Sequence, residues 1–263
     1  MQGESTAARI SEGLINMSVK RLAVAGAGKI GQRHIEMMAR MPERAMLAAV
    51  TDPAETTAGL ARRLGVTSHP SVAEMIAAGP LDGVIIASPN HLHVEQALVC
   101  IQAGLPVLVE KPIAHTTADA RRLCEAAEAA GVPVLIGHHR RHSSIIDKAV
   151  EVIASGVLGR IVAVTGSALF CKPEVEGYFD GAYRWRREPG GGPVLLNMIH
   201  EVSNLRALCG EIVAVQAFTS NATRGFAVED SAAISLRFAS GALGTFILSD
   251  TVASDRSWEH VSG

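Results

Sequence analysis

The feature that most constrains this chain is a glycine-rich turn, Gly26-Ala27-Gly28-Lys29-Ile30-Gly31, set between an apolar run and an amphipathic one. The run before it, Leu22-Ala23-Val24-Ala25, reads as a short buried strand. After it, Ile35, Met38 and Met41 recur at helical spacing until Pro42. Leu47-Ala48-Ala49-Val50 reads as a second strand and closes on Asp52, 21 positions beyond Gly31. Strand, GxGxxG, helix, strand and acid together form the dinucleotide fingerprint in its proper setting. Glycines permit the tight turn and let backbone N–H groups approach a pyrophosphate, and the helix N-terminus adds donors and a positive dipole end. Gly26, Gly28, Lys29, Ile30 and Gly31 are therefore candidate cofactor contacts, and Asp52 a candidate acceptor for the adenosine ribose hydroxyls. A carboxylate there favours NAD because it repels a 2′-phosphate, while Lys29 and Arg33 keep NADP open.

The alternation continues. Helices are expected over about 53–64, 72–78, 94–103 and 117–130, with strands near 66–68, 84–87, 107–112 and 132–136. Six short apolar strands alternating with helices imply an α/β fold, a doubly wound parallel Rossmann sheet that binds ligands at its carboxyl edge. Two further strand ends reach that edge. Ser88-Pro89-Asn90-His91-Leu92-His93 offers Ser88, Pro89, Asn90 and His93 to a cofactor or substrate. Val107-Leu108-Val109-Glu110-Lys111-Pro112 delivers Glu110 and Lys111, and partial desolvation of a lysine there moves its pKa towards the range useful for proton transfer.

The pattern changes after about Gly137, so the domain boundary is expected at 137–142, with a dinucleotide domain over 19–140 and a second domain over 141–263. His138-His139-Arg140-Arg141-His142 is a basic cluster that lacks acidic or cysteine partners at metal-ligand spacing, so no metal is expected. Arg141 suits either a solvated domain junction or an anionic or hydroxylated substrate. Strand-like runs over 160–170, 211–219, 231–238 and 242–250, the last two joined by Ala239-Ser240-Gly241, predict an α+β domain with a mostly antiparallel open sheet. Gly190-Gly191-Gly192-Pro193 opens a helix over about 194–208, ended by Gly210.

Composition narrows the remaining classes. A net charge of −2, 19% charged residues and 4% aromatics give neither a basic stripe nor stacking surfaces, which argues against nucleic acid. No apolar run approaches the roughly 20 residues that span a bilayer, so no membrane partner is expected. Cys100, Cys124, Cys171 and Cys209 are scattered without a CxxC pair, which fits a reducing cytoplasm. Residues 1–18 read as a polar extension without a strand of its own, and Met17 is a natural alternative start.

Five stretches in order resemble the glucose–fructose oxidoreductase, inositol dehydrogenase and MocA (Gfo/Idh/MocA) family. They are Gly26 to Gly31 with Asp52, Ser88 to His93, Glu110-Lys111-Pro112, Trp185-Arg186-Arg187, and Gly190 to His200. The resemblance implies a Rossmann domain and an α/β domain whose open sheet forms a homo-oligomer contact. It also implies NAD(P)-dependent hydride transfer on a sugar, inositol or related polyol. Under it Lys111 is the catalytic proton-transfer residue, Glu110 orients its surroundings, and His200 holds or helps deprotonate the same hydroxyl. Trp185, Arg186 and Asn197 fall where substrate contacts are expected. The chain departs from the pattern in two ways. Leu196 stands where the family commonly has an aspartate four residues before the histidine, and Ser203 where an acid often follows it. The sequence also stops soon after a strand at Trp258 to Gly263, which reads as a shortened second domain. Two alternatives follow: a catalytically impaired NAD(H)-binding regulatory or scaffold protein, and an enzyme acting on an aromatic or dihydrodiol substrate.

Overall fold

The computed structural model describes residues 18–53, 56–173, 177–256 and 258. The polar arm with its alternative start, and the closing residues beyond Trp258, lie outside the described residues. The chain divides into two compact units, Met1–Ile136 and Gly137–Gly263.

The first unit is a six-stranded parallel sheet in the order β3-β2-β1-β4-β5-β6. Its strands are β1 (Lys20–Ala25), β2 (Ala45–Thr51), β3 (Thr67–His69), β4 (Gly83–Ile86), β5 (Val107–Val109) and β6 (Val134–Ile136). Helices α1 (Lys29–Ala39), α2 (Thr56–Leu64), α3 (Val72–Ala77), α4 (His93–Gln102) and α5 (Thr117–Ala130) connect them. The period-two geometry of strands sorts side chains between two cores. Val24, Val50 and Ile85 pack with Ile35 and Met38 of α1 and Ala61 of α2. Ala23, Ala25, Ile86 and Val109 pack on the other face with Met75, Ala97, Cys100 and Leu123 of α3 to α5. Helix α5 is specified locally: Thr116 caps it by accepting from the Asp119 amide at 3.1 Å, its six alanines favour the helix, and Gly131 ends it at φ 63°.

The strand that was read over 107–112 stops at Val109. The β4 and β6 ladders both end opposite that residue, so Glu110, Lys111 and Pro112 lie just past the sheet. Cys100 is fully buried, and burial pushes its thiol up to about 12. It is therefore inert packing.

The second unit begins with α6 (Ser144–Ala154) and holds a four-stranded sheet in the order β7-β10-β9-β8. Strands β8 (Ile212–Ser220), β9 (Ser231–Phe238) and β10 (Leu243–Ser249) pair antiparallel, whereas β7 (Ala163–Leu169) joins β10 in parallel. Ala232, Ile234, Leu236, Phe238, Phe246 and Leu248 point one way and pack with Met198 and with Leu205 of α7 (Ile199–Cys209). The ring of Phe246 lies over Gly166, where a Cβ would come within 2.5 Å of it. Alternate positions on the opposite face are exposed, among them Thr245 and Ile247.

Phe238 is 1% exposed and Leu135 is 64% exposed. Phe238→Ala is expected to lower unfolding stability in urea by about 3–5 kcal/mol, and Leu135→Ala by less than about 0.5 kcal/mol.

Candidate active site

In the first unit, strands β2, β1, β4 and β5 are adjacent and parallel, so their carboxyl ends share one edge. That edge gathers the glycine loop, Asp52, the Ser88–His93 segment and Glu110-Lys111. Two of the loop glycines are required by contact. Gly26 has φ 93°, and a Cβ on it would lie 2.4 Å from the Ser88 amide nitrogen. A Cβ on Gly31 would lie 1.8 Å from the Gly26 carbonyl oxygen. Gly28 differs: a Cβ there would meet nothing within 4 Å. The loop is thus closed against its own helix and open at Gly28, where α1 begins without a side-chain cap or an acid in its first turn. A helix N-terminus in that state accepts an anion such as a pyrophosphate. Lys29 and Ile30 are exposed beside it. Asp52 holds the loop in place, with Oδ2 accepting from the Ala27 amide at 2.7 Å.

The segment after β4 turns through a 3-10 helix, Asn90–Leu92, into α4. Ser88 donates through Oγ to Gln96 Oε1 at 2.7 Å. Pro89 is exposed and Asn90 is buried. His93 is 1% exposed, with Nδ1 at 2.8 Å from the Pro112 carbonyl oxygen and Nε2 at 2.8 Å from that of Ser88. Carbonyl oxygens only accept. The neutral ring therefore donates to one of them, and the imidazolium to both. Burial pushes the His93 pKa down, against the two carbonyls and the Glu110 charge. The ring ties the ends of β4 and β5 together.

Glu110 is fixed from two sides. His34 Nε2, on α1, donates to its Oε1 at 2.8 Å, and the Lys111 amide donates to its Oε2 at 3.1 Å. Burial alone would push the Glu110 carboxyl up, but the hydrogen bond and charge of His34, with the Lys111 amide and ammonium, outweigh it and hold it low. The glycine-loop helix is thereby tied to the segment that carries Lys111. Nothing in the local sequence around Glu110 announces His34, which lies 76 positions earlier.

In the second unit, Asn197 lies in a π-helical turn, Val194–Met198, that runs directly into α7 and His200. Glu229 Oε1 accepts from the Val194 amide at 2.9 Å and closes against Gly192, whose φ is 79°. This fixes where the turn begins. A widened turn of this kind re-aims side chains and is common at functional sites. His200 is buried, 4.8 Å between ring centroids from His139. The neighbouring arginines divide their roles. Arg140 is buried and donates through Nη1 to Glu201 Oε1 at 2.6 Å, whereas Arg141 reaches Asp147 at 3.4 Å among exposed side chains. Arg186 donates to the Tyr178 carbonyl oxygen at 3.0 Å and stacks on Tyr178 and Tyr183 at 4.0 and 4.3 Å. It is held inside its own 3-10 turn, Gly181–Arg187, together with Trp185. Of the residues singled out in this half, the structure places Asn197 on a cavity lined by Arg140, Glu201 and Lys172, and Arg141, Trp185 and Arg186 are not part of that lining. Among the described residues, no group of three histidine, cysteine or acidic side chains could hold a metal ion, and no helix is long and apolar enough to cross a membrane.

Residues 20–138 match the family model described as an oxidoreductase family with an NAD-binding Rossmann fold. Residues 146–263 match that of the GFO/IDH/MocA C-terminal domain. The chain is 32% identical to 1,5-anhydro-D-fructose reductase of Ensifer adhaerens, over 87% of this chain and 68% of that protein. It is 32% identical to the rhizopine catabolism protein MocA of Rhizobium meliloti, over 73% of this chain and 57% of that protein. The WlbA dehydrogenase of Bordetella pertussis, solved in complex with NADH and UDP-GlcNAcA, superposes with a TM-score of 0.84 at 30% identity, covering 89% of this chain and 73% of that one.

Two outcomes test the first unit. His93→Ala removes the ring N–H bond to a carbonyl at the strand ends and is expected to cost about 1–3 kcal/mol in urea unfolding. Glu110 has a folded pKa below its unfolded value of 4.5, so its contribution is present above pH 4.5 and lost as pH falls through the folded value. Unfolding stability measured against pH should therefore fall less steeply on the acid side in Glu110→Gln than in the parent chain.

Proposed function

The chain belongs to the Gfo/Idh/MocA oxidoreductase family, and from that premise we propose that it transfers hydride between a nicotinamide dinucleotide and a CH–OH carbon of a sugar, inositol or related polyol. The observation that carries this reading is the single edge that gathers the open Gly28 turn, Asp52 and Lys111. The residues fit the cofactor. Gly26, Gly28, Lys29, Ile30 and Gly31 present backbone donors for the pyrophosphate at the start of α1. Asp52, already bonded to the loop, offers its carboxylate to the ribose hydroxyls and favours NAD over NADP. Ser88, Pro89 and Asn90 line the next strand end. His93 and Glu110 support the site from behind.

The bound nicotinamide supplies the hydride chemistry. Lys111 holds the reacting oxygen and takes up or returns its proton. Glu110, locked by His34, sets the backbone from which Lys111 projects. His200 and Asn197 bind substrate hydroxyls, with Asn197 as a hydrogen-bonding partner only, because an amide is no base. Residues 19–140 bind the dinucleotide and 141–263 the substrate. The open face of the second sheet, where Phe218 is 79% exposed, joins copies of the chain. The four free cysteines suit a reducing cytoplasm.

NADH oxidation and NAD reduction with a panel of polyols and sugars test the reading. Lys111→Ala should lower kcat by about 10²–10⁴-fold, the range of a general acid–base group, with NADH binding retained. Turnover unaffected by the substitution would remove Lys111 from the chemistry. NADH binding with no turnover on any polyol would favour the impaired sensor or scaffold instead. Sedimentation should show an oligomer that Phe218→Glu shifts towards monomer.

A further inference from the structure

Three elements of the first unit meet at Glu110. It follows β5 directly, and its amide donates to the Ile86 carbonyl oxygen at the end of β4, at 2.9 Å. Its carboxylate meets α1 instead, where His34 Nε2 lies 2.8 Å from Oε1. The other oxygen, Oε2, accepts from the Lys111 amide at 3.1 Å. An ionised carboxylate can only accept, so His34 Nε2 carries the hydrogen. The His34 side chain is 25% exposed and that of Glu110 14%, so water competes little for this bond.

His34 stands three residues after Gly31 on α1, so the two share a helix face. Gly31 is the residue pressed against the Gly26 carbonyl oxygen, where a Cβ would lie 1.8 Å away. The glycine turn, the first turn of α1, His34, Glu110 and Lys111 therefore form one run of contacts. The second hold on this segment has a different anchor. His93 reaches the Pro112 carbonyl oxygen and that of Ser88, each at 2.8 Å, and so ties the segment to the sheet ends and not to α1. Lys111 and His93 also act on the Glu110 carboxylate through charge, but neither belongs to the glycine-turn helix. A change in the seating of α1 is passed to Lys111 through His34.

We propose that His34 is a positioning residue that couples occupation of the dinucleotide turn to the placement of Lys111. A dinucleotide seated at the start of α1 fixes the helix, the helix fixes Glu110 through His34, and Glu110 fixes the backbone at Lys111. The coupling is reciprocal: the ordering that the nucleotide confers on Lys111 returns as nucleotide affinity. His34 acts through Glu110 alone. The consequence for turnover rests on the hydride-transfer reading, whereas the tie between α1 and Lys111 rests on the geometry of the first unit.

Amide hydrogen exchange read by NMR on the full chain, with and without saturating NADH, tests it. Two neighbouring amides serve as probe and control, because the Lys111 amide is bonded to the Glu110 carboxylate and the Glu110 amide to the Ile86 carbonyl. In His34→Ala the Lys111 amide should exchange at least about tenfold faster than in the parent, with the Glu110 amide unchanged. His34→Gln, whose amide nitrogen reaches about as far as Nε2, should restore the parent rate. NADH should slow Lys111 exchange at least about threefold in the parent and lose that effect in His34→Ala. NADH should also bind His34→Ala more weakly, by up to the factor with which it slows Lys111 exchange in the parent. Equal Lys111 exchange in the parent and His34→Ala would overturn the tie. Faster exchange at Glu110 and Lys111 alike would mean a loosened sheet edge and would overturn the positioning role. NADH that binds without slowing Lys111 exchange would reject the coupling alone. NADH that fails to bind would reject the coupling and the hydride-transfer reading together.

Discussion

The first unit depends on backbone packed directly against backbone at the glycine turn. Gly26 touches the chain leaving β4, and Gly31 touches Gly26, with no room for a Cβ at either contact. That closeness seats α1 on the sheet and leaves its first N–H groups facing outward at Gly28. The remaining ties follow from it. Asp52 reaches the loop because β2 lies beside β1. His34 reaches Glu110 because α1 starts where it does. His93 then links the ends of β4 and β5 through two carbonyls. Lys111 sits at the end of a chain of short contacts, each of which restricts the next.

The second unit uses another device. Its sheet buries one face on α7 and leaves the other open, so the sheet alone says little about a ligand. What shapes the cavity is a buried polar assembly. Arg224, held by Asp250, fixes the Lys172 backbone, and the Glu229 carboxylate fixes the start of the Asn197 turn. A buried pair of this kind adds little net stability over apolar residues, and breaking it by removing one partner is costly. Here it fixes the Lys172 backbone just beyond the end of β7.

Much of this was legible in the sequence. The six strands, their helices and the glycine fingerprint are local patterns with a fixed period, and the parallel order follows from them. Asp52, Lys111 and His200 are singled out because each stands at a set distance from a recognisable stretch. The parts that were missed are those decided by tertiary reach. His34 is joined to Glu110 across 76 positions. Arg140 and Arg141 are adjacent in a 3-10 turn, Arg140 buried on Glu201 and Arg141 among exposed side chains, and no periodicity separates them. Lys172 and Arg224 carry no motif, and their link exists only once β10 brings Asp250 between them. His93 was noticed for the right neighbourhood, but its ring nitrogens are engaged by carbonyls, which only the folded strand ends reveal.

The central claim is that the opening at Gly28 is where a dinucleotide pyrophosphate sits. NADH fluorescence titration of the parent chain and of Gly28→Val tests it most directly. A Cβ at this position meets no protein atom within 4 Å, so the variant should fold, with a loss in urea unfolding of no more than about 1 kcal/mol from the poorer N-cap. The account predicts saturable NADH binding by the parent and at least about a tenfold loss in Gly28→Val, the scale of a lost pyrophosphate contact worth about 1.4 kcal/mol. Equal binding by a folded Gly28→Val protein would contradict it.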